Sequence, residues 1–272
     1  MQFEIKNVSV LYPQTGAVLN NINLNIQKGD FIGIVGKAGS GKTTLIETIG
    51  GLHKPQSGAI YFESNDIYGN NFDQQNFRRK LQVVFQFPEN QFFESSIYDE
   101  IAFGMKMLNF TSDEIERKTF DILKKLFPNE SSSRALSPFA LSGGQKKKLA
   151  VACALSIEPE VILLDEPFSG LDQDNKNNLA QILREENSKG TTILLVSHDP
   201  DILCEIAEKI IVLSEGNIVK IGTPAEVYNT QNKNTYGIGM PNTKEIADMI
   251  DLDLSDNLSY DAFISKLIEK YR

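Results

Sequence analysis

Over the first thirty residues the apolar side chains alternate with polar ones: Phe3, Ile5, Val8 and Val10, then Ile22, Leu24 and Ile26. Turn-forming Pro13, Gly16 and Asn20-Asn21 lie between them. A period of two predicts antiparallel sheet. From Phe31 the pattern changes to short continuous apolar runs, Phe31 to Val35, Leu81 to Phe85, Val161 to Leu164 and Thr192 to Val196. Each ends in polar or glycine residues, and most lead into a helix-like stretch. Such blocks suit strands covered on both faces, so a parallel α/β core is expected, with its ligand site at the strand carboxyl ends.

Between the second and third runs, about residues 87 to 157, apolar positions recur at helical spacing and strand signals fade, which predicts an inserted helical subdomain. After Ile221-Gly222-Thr223-Pro224 the character shifts again, and Gln231 to Asn242 has the Asn, Gly and Thr content of a connecting segment. Beyond it Tyr260, Phe263, Ile264, Leu267, Ile268 and Tyr271 form one apolar helical stripe with Ser259 as N-cap. The chain thus divides into a core over 1–227 and a small helical appendix over 228–272.

The 272 residues hold 27 Lys and Arg against 36 Asp and Glu, a net charge of −9, and 41% are apolar, as suits a folded domain. An acidic chain is a poor match for nucleic acid, whose affinity comes from clustered cations, so no nucleic-acid partner is expected. Cys153 and Cys204 sit far apart in apolar stretches, which fits reduced thiols, and with only His53 and His198 beside them no zinc cluster reaches motif spacing. The apolar runs fall well short of the roughly 18 residues of a membrane span, and Met1-Gln2-Phe3-Glu4 lacks signal-peptide character, so a cytoplasmic location is expected.

Gly36-Lys37-Ala38-Gly39-Ser40-Gly41-Lys42-Thr43 follows the first buried run and opens a helix at Thr44, the strand-loop-helix setting of a phosphate loop. Its glycines let backbone N–H groups turn onto phosphate oxygens, Lys42 neutralises the β- and γ-phosphates, and the Thr43 hydroxyl ligates Mg²⁺. Val161 to Leu164 ends in Asp165-Glu166, which places Asp165 beside that Mg²⁺ and lets Glu166 act as general base on a water aligned with the γ-phosphate. Leu141-Ser142-Gly143-Gly144-Gln145 opens a second helix. It is either another anion site, which points to two subunits facing head to tail, or a serine cap with a glycine hinge. His198 closes the last strand run as a hydrogen-bond donor to developing charge, or as an ordinary polar residue, and His53 reads as part of a surface turn.

Together the phosphate loop, the Leu-Ser-Gly-Gly-Gln signature and Asp165-Glu166 resemble the nucleotide-binding subunit of an ABC transporter. The resemblance implies a P-loop ATPase with an antiparallel N-terminal β-subdomain and a helical insertion, using ATP and Mg²⁺. It implies that Gln86 is a Mg²⁺ ligand, that Ser169-Gly170-Leu171-Asp172 is the loop crossing the dimer interface, and that His198 contacts the γ-phosphate. Tyr12 is similar in place to the adenine-stacking aromatic, though a structural tyrosine there stays open. Gln86 to Phe93 and Asp99 to Gly104, with the C-terminal appendix, resemble energy-coupling factor ATPases, which power uptake of vitamins or transition-metal ions. Phe168 and Lys146-Lys147-Lys148 depart from the common pattern.

That family implies three partners. One is a second ATPase subunit, identical or related. Another is an integral membrane subunit docking near Phe87 to Phe93, where Phe87, Phe92 and Phe93 serve as anchors unless they form the insertion's core. The last is a separate membrane protein that binds the solute, with the ATPase peripheral on the cytoplasmic face. DNA-repair ATPases share the motifs but set long coiled coils between phosphate loop and signature, and residues 44 to 140 carry no sustained heptad.

Overall fold

The alternating N-terminal residues form an antiparallel pair in the computed structural model, which describes residues 1–12, 16–127, 135–229 and 236–272. β1 (Phe3–Tyr12) lies beside β2 (Gly16–Ile26), with Phe3 opposite Ile26 and Ile5 opposite Leu24. Asn20-Asn21, expected as a turn, lies inside β2. Val8 faces Ile22 while Val10 faces Leu19, so β2 carries an extra residue there. Asn21 absorbs it with a left-handed φ of 49° and donates its N–H to Ser9 Oγ at 2.9 Å. Asparagine tolerates that backbone in a bulge as readily as in a turn, so the local signal is the same for both. Pro13 lies outside the described residues.

Two compact units follow from the contacts, Met1–Phe72 with Thr192–Arg272, and Asp73–Thr191. In the first, β3 (Phe31–Val35) is buried throughout and runs into the loop before α1 (Lys42–Ile49). β4 (Ser57–Phe62) then pairs antiparallel with β1 and carries the short β5 (Asn65–Asp66), completing a sheet in the order β2-β1-β4-β5.

The second unit contains α2 (Gln74–Lys80), β6 (Leu81–Val84), a 3-10 turn at Pro88–Asn90, α3 (Ile97–Met107) and α4 (Ser112–Leu126). It continues through α5 (Gly143–Ser156), β7 (Val161–Asp165) and α6 (Gln173–Ser188). β6 ends one residue earlier than its apolar run and lies parallel to β7, Leu81 opposite Val161. Reciprocal caps fix α4 (Thr111 with Glu114) and α5 (Ser142 with Gln145) at their starts. Cys153 in α5 is a free thiol.

The chain re-enters the first unit as β8 (Thr192–Val196), α7 (Pro200–Ile206), β9 (Lys209–Ser214), β10 (Asn217–Gly222) and α8 (Pro224–Val227). β3 is parallel to both β8 and β9, and β10 is antiparallel on β9. The strand ends of β3 and β8 therefore point the same way, carrying the loops at residues 36–41 and 197–199. Of the expected connecting segment from Gln231, residues 231–235 lie outside the described residues. Where the stripe predicted one helix, the described residues of the appendix include α9 (Asn242–Met249) as well as α10 (Tyr260–Tyr271). Ser259 caps α10 as expected. Within this chain Phe263 is buried, whereas Tyr260, Ile268 and Tyr271 are 61, 47 and 70% exposed.

Candidate functional site: a phosphate loop and a carboxylate-bearing strand end

The phosphate loop is shaped by two glycines that no other residue could replace without rearrangement. Gly36 has φ 153° and Gly41 φ 103°, and a Cβ would fall 2.1 Å from Leu213 O at the first and 2.8 Å from Val18 O at the second. Between them Ser40 N–H donates to Lys37 O at 3.1 Å, closing the turn. Lys42, buried in the first turn of α1, donates from Nζ to Gly36 O and Lys37 O, both at 2.9 Å. The ammonium is thereby held over the mouth of the loop. Ser40 Oγ is buried with no hydrogen-bond partner among the described residues. A buried polar atom of this kind is costly unless a ligand or water completes it, and an anion in the loop suits it. Thr43 is exposed beside Lys42, and Thr44 is buried.

A cavity of about 280 Å³ opens beside the loop, lined by Gly36, Lys37, Ala38, Ser197, His198 and Tyr228 among others. It brings His198 and the phosphate loop to one place, as the sequence suggests. It also shows two residues that the sequence analysis did not single out. Tyr228 is buried, and Gly237, with φ 61°, lies so near Lys37 that a Cβ there would come 2.1 Å from Lys37 Cε. No sequence spacing links positions 37 and 237.

Tyr12 ends β1 half-buried, and its ring meets that of His53 edge-on at 5.4 Å. His53 Nε2 in turn lies 2.9 Å from Glu47 Oε2 on α1. His53 lies in a bend with its side chain 39% exposed, in keeping with the surface-turn reading, and its imidazole touches both the Tyr12 ring and Glu47 on the helix that starts at the phosphate loop.

In the second unit Asp165 ends β7 and is buried, as is Glu166. Glu166 adopts a left-handed φ of 52°, and its carbonyl accepts from Lys147 Nζ at 3.0 Å and from Ser169 N at 3.3 Å. Burial lowers the Lys147 ammonium from its usual range, opposed by the charges of Glu166, Glu89 and Asp165. Ser142 accepts from Gln145 N at 3.3 Å, and Gln145 Oε1 accepts from Ser142 N at 2.8 Å, so within the chain the signature serine is a helix cap. Gly143 is exposed, and Gly144 packs so closely on the following loop that a Cβ would sit 3.1 Å from Gly170 O. Asp172 is exposed and caps α6 through Asn175. Phe168 is fully buried, and Lys148 reaches Asn175 Oδ1 at 2.9 Å over the Phe127 ring.

Gln86 follows β6 half-buried. In the next stretch Phe87 and Phe93 are 63 and 59% exposed, but Phe92 is only 8% exposed. The reading of three outward anchors is thus corrected to two. Phe92 turns inward because buried Glu100 on α3 accepts from Phe93 N at 3.1 Å and Glu94 N at 2.8 Å, which fixes the backbone on either side.

A family model described as ABC transporter matches residues 19–169. The energy-coupling factor transporter ATP-binding protein EcfA2 of Caldanaerobacter subterraneus subsp. tengcongensis is 36% identical over 253 residues, 91% of this chain and 88% of that protein. Among solved structures, cbiO1 from Clostridium perfringens, described as part of the ABC transporter complex cbiONQ, aligns with a TM-score of 0.74 at 29% identity, covering 92% of this chain and 98% of that one. The ATP-binding cassette MJ0796, a dimer in a post-hydrolysis state bound to ADP and Pi, aligns with a TM-score of 0.73 at 29% identity, covering 82% and 98%.

Proposed function

Because the chain belongs to the ABC transporter family, among the energy-coupling factor ATP-binding proteins, we propose that its loop 36–44 binds the phosphates of ATP and that Glu166 drives their hydrolysis. The protein is an ATP hydrolase that energises a membrane uptake transporter. The observation that carries the residue assignment is the phosphate loop itself: a Lys42 ammonium pinned by two carbonyls over glycines that leave no room for a side chain, with the Ser40 hydroxyl buried and awaiting a partner.

Each residue then has a definite task. Backbone N–H groups of Gly39 to Thr44 and the Lys42 charge bind phosphate oxygens, and Tyr12 stacks on the adenine. Glu166 accepts the proton of the attacking water, and His198 donates a hydrogen bond to the γ-phosphate as charge develops there. Thr43, Gln86 and Asp165 offer the oxygen donors that Mg²⁺ prefers, and the ion would supply neutralisation of the β- and γ-phosphate charge. Ser142, Gly143, Gly144, Gln145 and Asp172 act on the nucleotide of a second, identical or related subunit arranged head to tail.

No helix among the described residues is long and apolar enough to cross a membrane. The chain works from the cytoplasmic face through an integral membrane subunit that docks on Phe87 and Phe93, while a separate membrane protein recognises the solute. Residues 1–227 form the ATPase domain, with its helical subdomain at about 87–157, and 228–272 the dimerisation appendix, where Tyr260, Ile268 and Tyr271 of α10, exposed in this chain, suit a partner subunit.

The test is Glu166→Gln. An amide keeps the shape and loses the proton acceptor, so ATP binding persists while turnover falls by about two to four decades. Wild-type hydrolysis at saturating ATP and Mg²⁺ would refute the assignment.

A further inference from the structure

Lys147 is a half-buried cation to which neither the phosphate loop nor the helix cap assigns a task. It stands one turn into α5, and its neighbours in the Lys146-Lys147-Lys148 run behave differently. Lys148 is a packing residue, held by Asn175 and the Phe127 ring. Lys147 instead crosses to the strand end and donates to the carbonyl of Glu166 at 3.0 Å.

The backbone it grips is strained. Glu166 sits at φ 52°, a left-handed conformation that costs a non-glycine residue on the order of 1 kcal/mol and persists only where the surroundings impose it. Ser169 N–H reaches the same carbonyl at 3.3 Å, a long contact from a neutral donor. The Lys147 bond is shorter and charge-assisted, hence the stronger of the two. One turn earlier on the same helix, Gly144 rests against Gly170 O, so α5 touches the loop 166–171 at both its ends.

We propose that Lys147 is a positioning residue for ATP hydrolysis, fixing the peptide of Glu166 so that its carboxylate is aimed at the attacking water. This rests on the general-base reading of Glu166. A carboxylate turned by a rotated peptide moves by about an ångström, and displacements of that size cost on the order of a hundredfold in rate. Because Lys147 touches a carbonyl and not the nucleotide, its loss reduces turnover without weakening ATP binding.

The experiment compares steady-state ATPase activity of the assembled transporter carrying Lys147→Met, Lys147→Arg, Glu166→Gln and the Glu166→Gln/Lys147→Met pair, with melting temperatures for each. Lys147→Met should lower kcat by about tenfold or more while KM for ATP stays within about twofold, and Lys147→Arg should restore most of the rate. In the Glu166→Gln background Lys147→Met should cost nothing further, since both changes disable one group. A Lys147→Met kcat within about twofold of wild type overturns the proposal, as do additive losses in the pair, or a Lys147→Arg variant as slow as Lys147→Met with the same fall in melting temperature. Wild-type turnover in Glu166→Gln overturns instead the general-base reading beneath it, a result distinct from an inactive Glu166→Gln beside an active Lys147→Met.

Discussion

Asp201 in α7 caps a helix that begins 41 residues later in the chain: its Oδ1 accepts from Asn242 N at 2.7 Å and its Oδ2 from Asn242 Nδ2 at 2.6 Å. α9 has Pro241 at its N-cap position, which offers no side-chain acceptor, so the cap comes from a helix that starts just after His198. The appendix is thereby tied to the segment that carries one of the proposed γ-phosphate contacts.

Asp201→Ala should remove this borrowed cap at a cost of about 1 kcal/mol. Hydrogen exchange at the amides of α9 should then speed up by about fivefold while that of β3 and β8 stays unchanged. Unchanged exchange in α9 would mean that the cap contributes nothing.

Gly237→Ala adds two penalties. A left-handed φ of 61° costs an alanine about 1 to 2 kcal/mol, and the new methyl group displaces Lys37. Lys37→Ala removes only the second penalty. Melting temperatures of the two single variants and the double should therefore show a double-variant loss smaller than the sum. Strict additivity would show that the Lys37 side chain does not lie against Gly237.

The exposed and buried aromatics of residues 87–93 should part company. Phe87→Ala should leave stability within about 0.5 kcal/mol and reduce capture by the membrane subunit in a pull-down. Phe92→Ala should cost about 3 kcal/mol, because it opens a cavity in a side chain only 8% exposed. Full capture by the Phe87→Ala variant would remove Phe87 from the docking surface.

Asp172 supplies a pH dependence with a definite sign. The backbone N–H of Asn175, then its side-chain amide, holds the Asp172 carboxyl below its ordinary value of 3.8. A depressed carboxyl stabilises the fold fully above 3.8, and that contribution fades as pH falls through its folded-state value. Asp172→Asn keeps a capping oxygen without the titration, so its melting temperature should decline less steeply than wild type between about pH 4 and pH 2. Parallel declines would count against a titrating cap.

What the sequence by itself determined is what depends on neighbours along the chain. The period-two strands, the buried run Phe31 to Val35, the phosphate loop and the caps at Ser142 and Ser259 are all set within a few residues, where φ preferences and side-chain-to-backbone bonds act. The tertiary structure decided everything that needs two distant segments. Asn20-Asn21 became a bulge because its partner strand β1 was there to be matched. Phe92 turned inward because Glu100 captured the amides of Phe93 and Glu94. Lys147 looks in sequence like one solvated cation in a run of three, and only the packing of α5 against the end of β7 brings its ammonium to the Glu166 carbonyl. A lysine's reach is a property of its side chain, but what lies within that reach is fixed by how the chain folds back on itself.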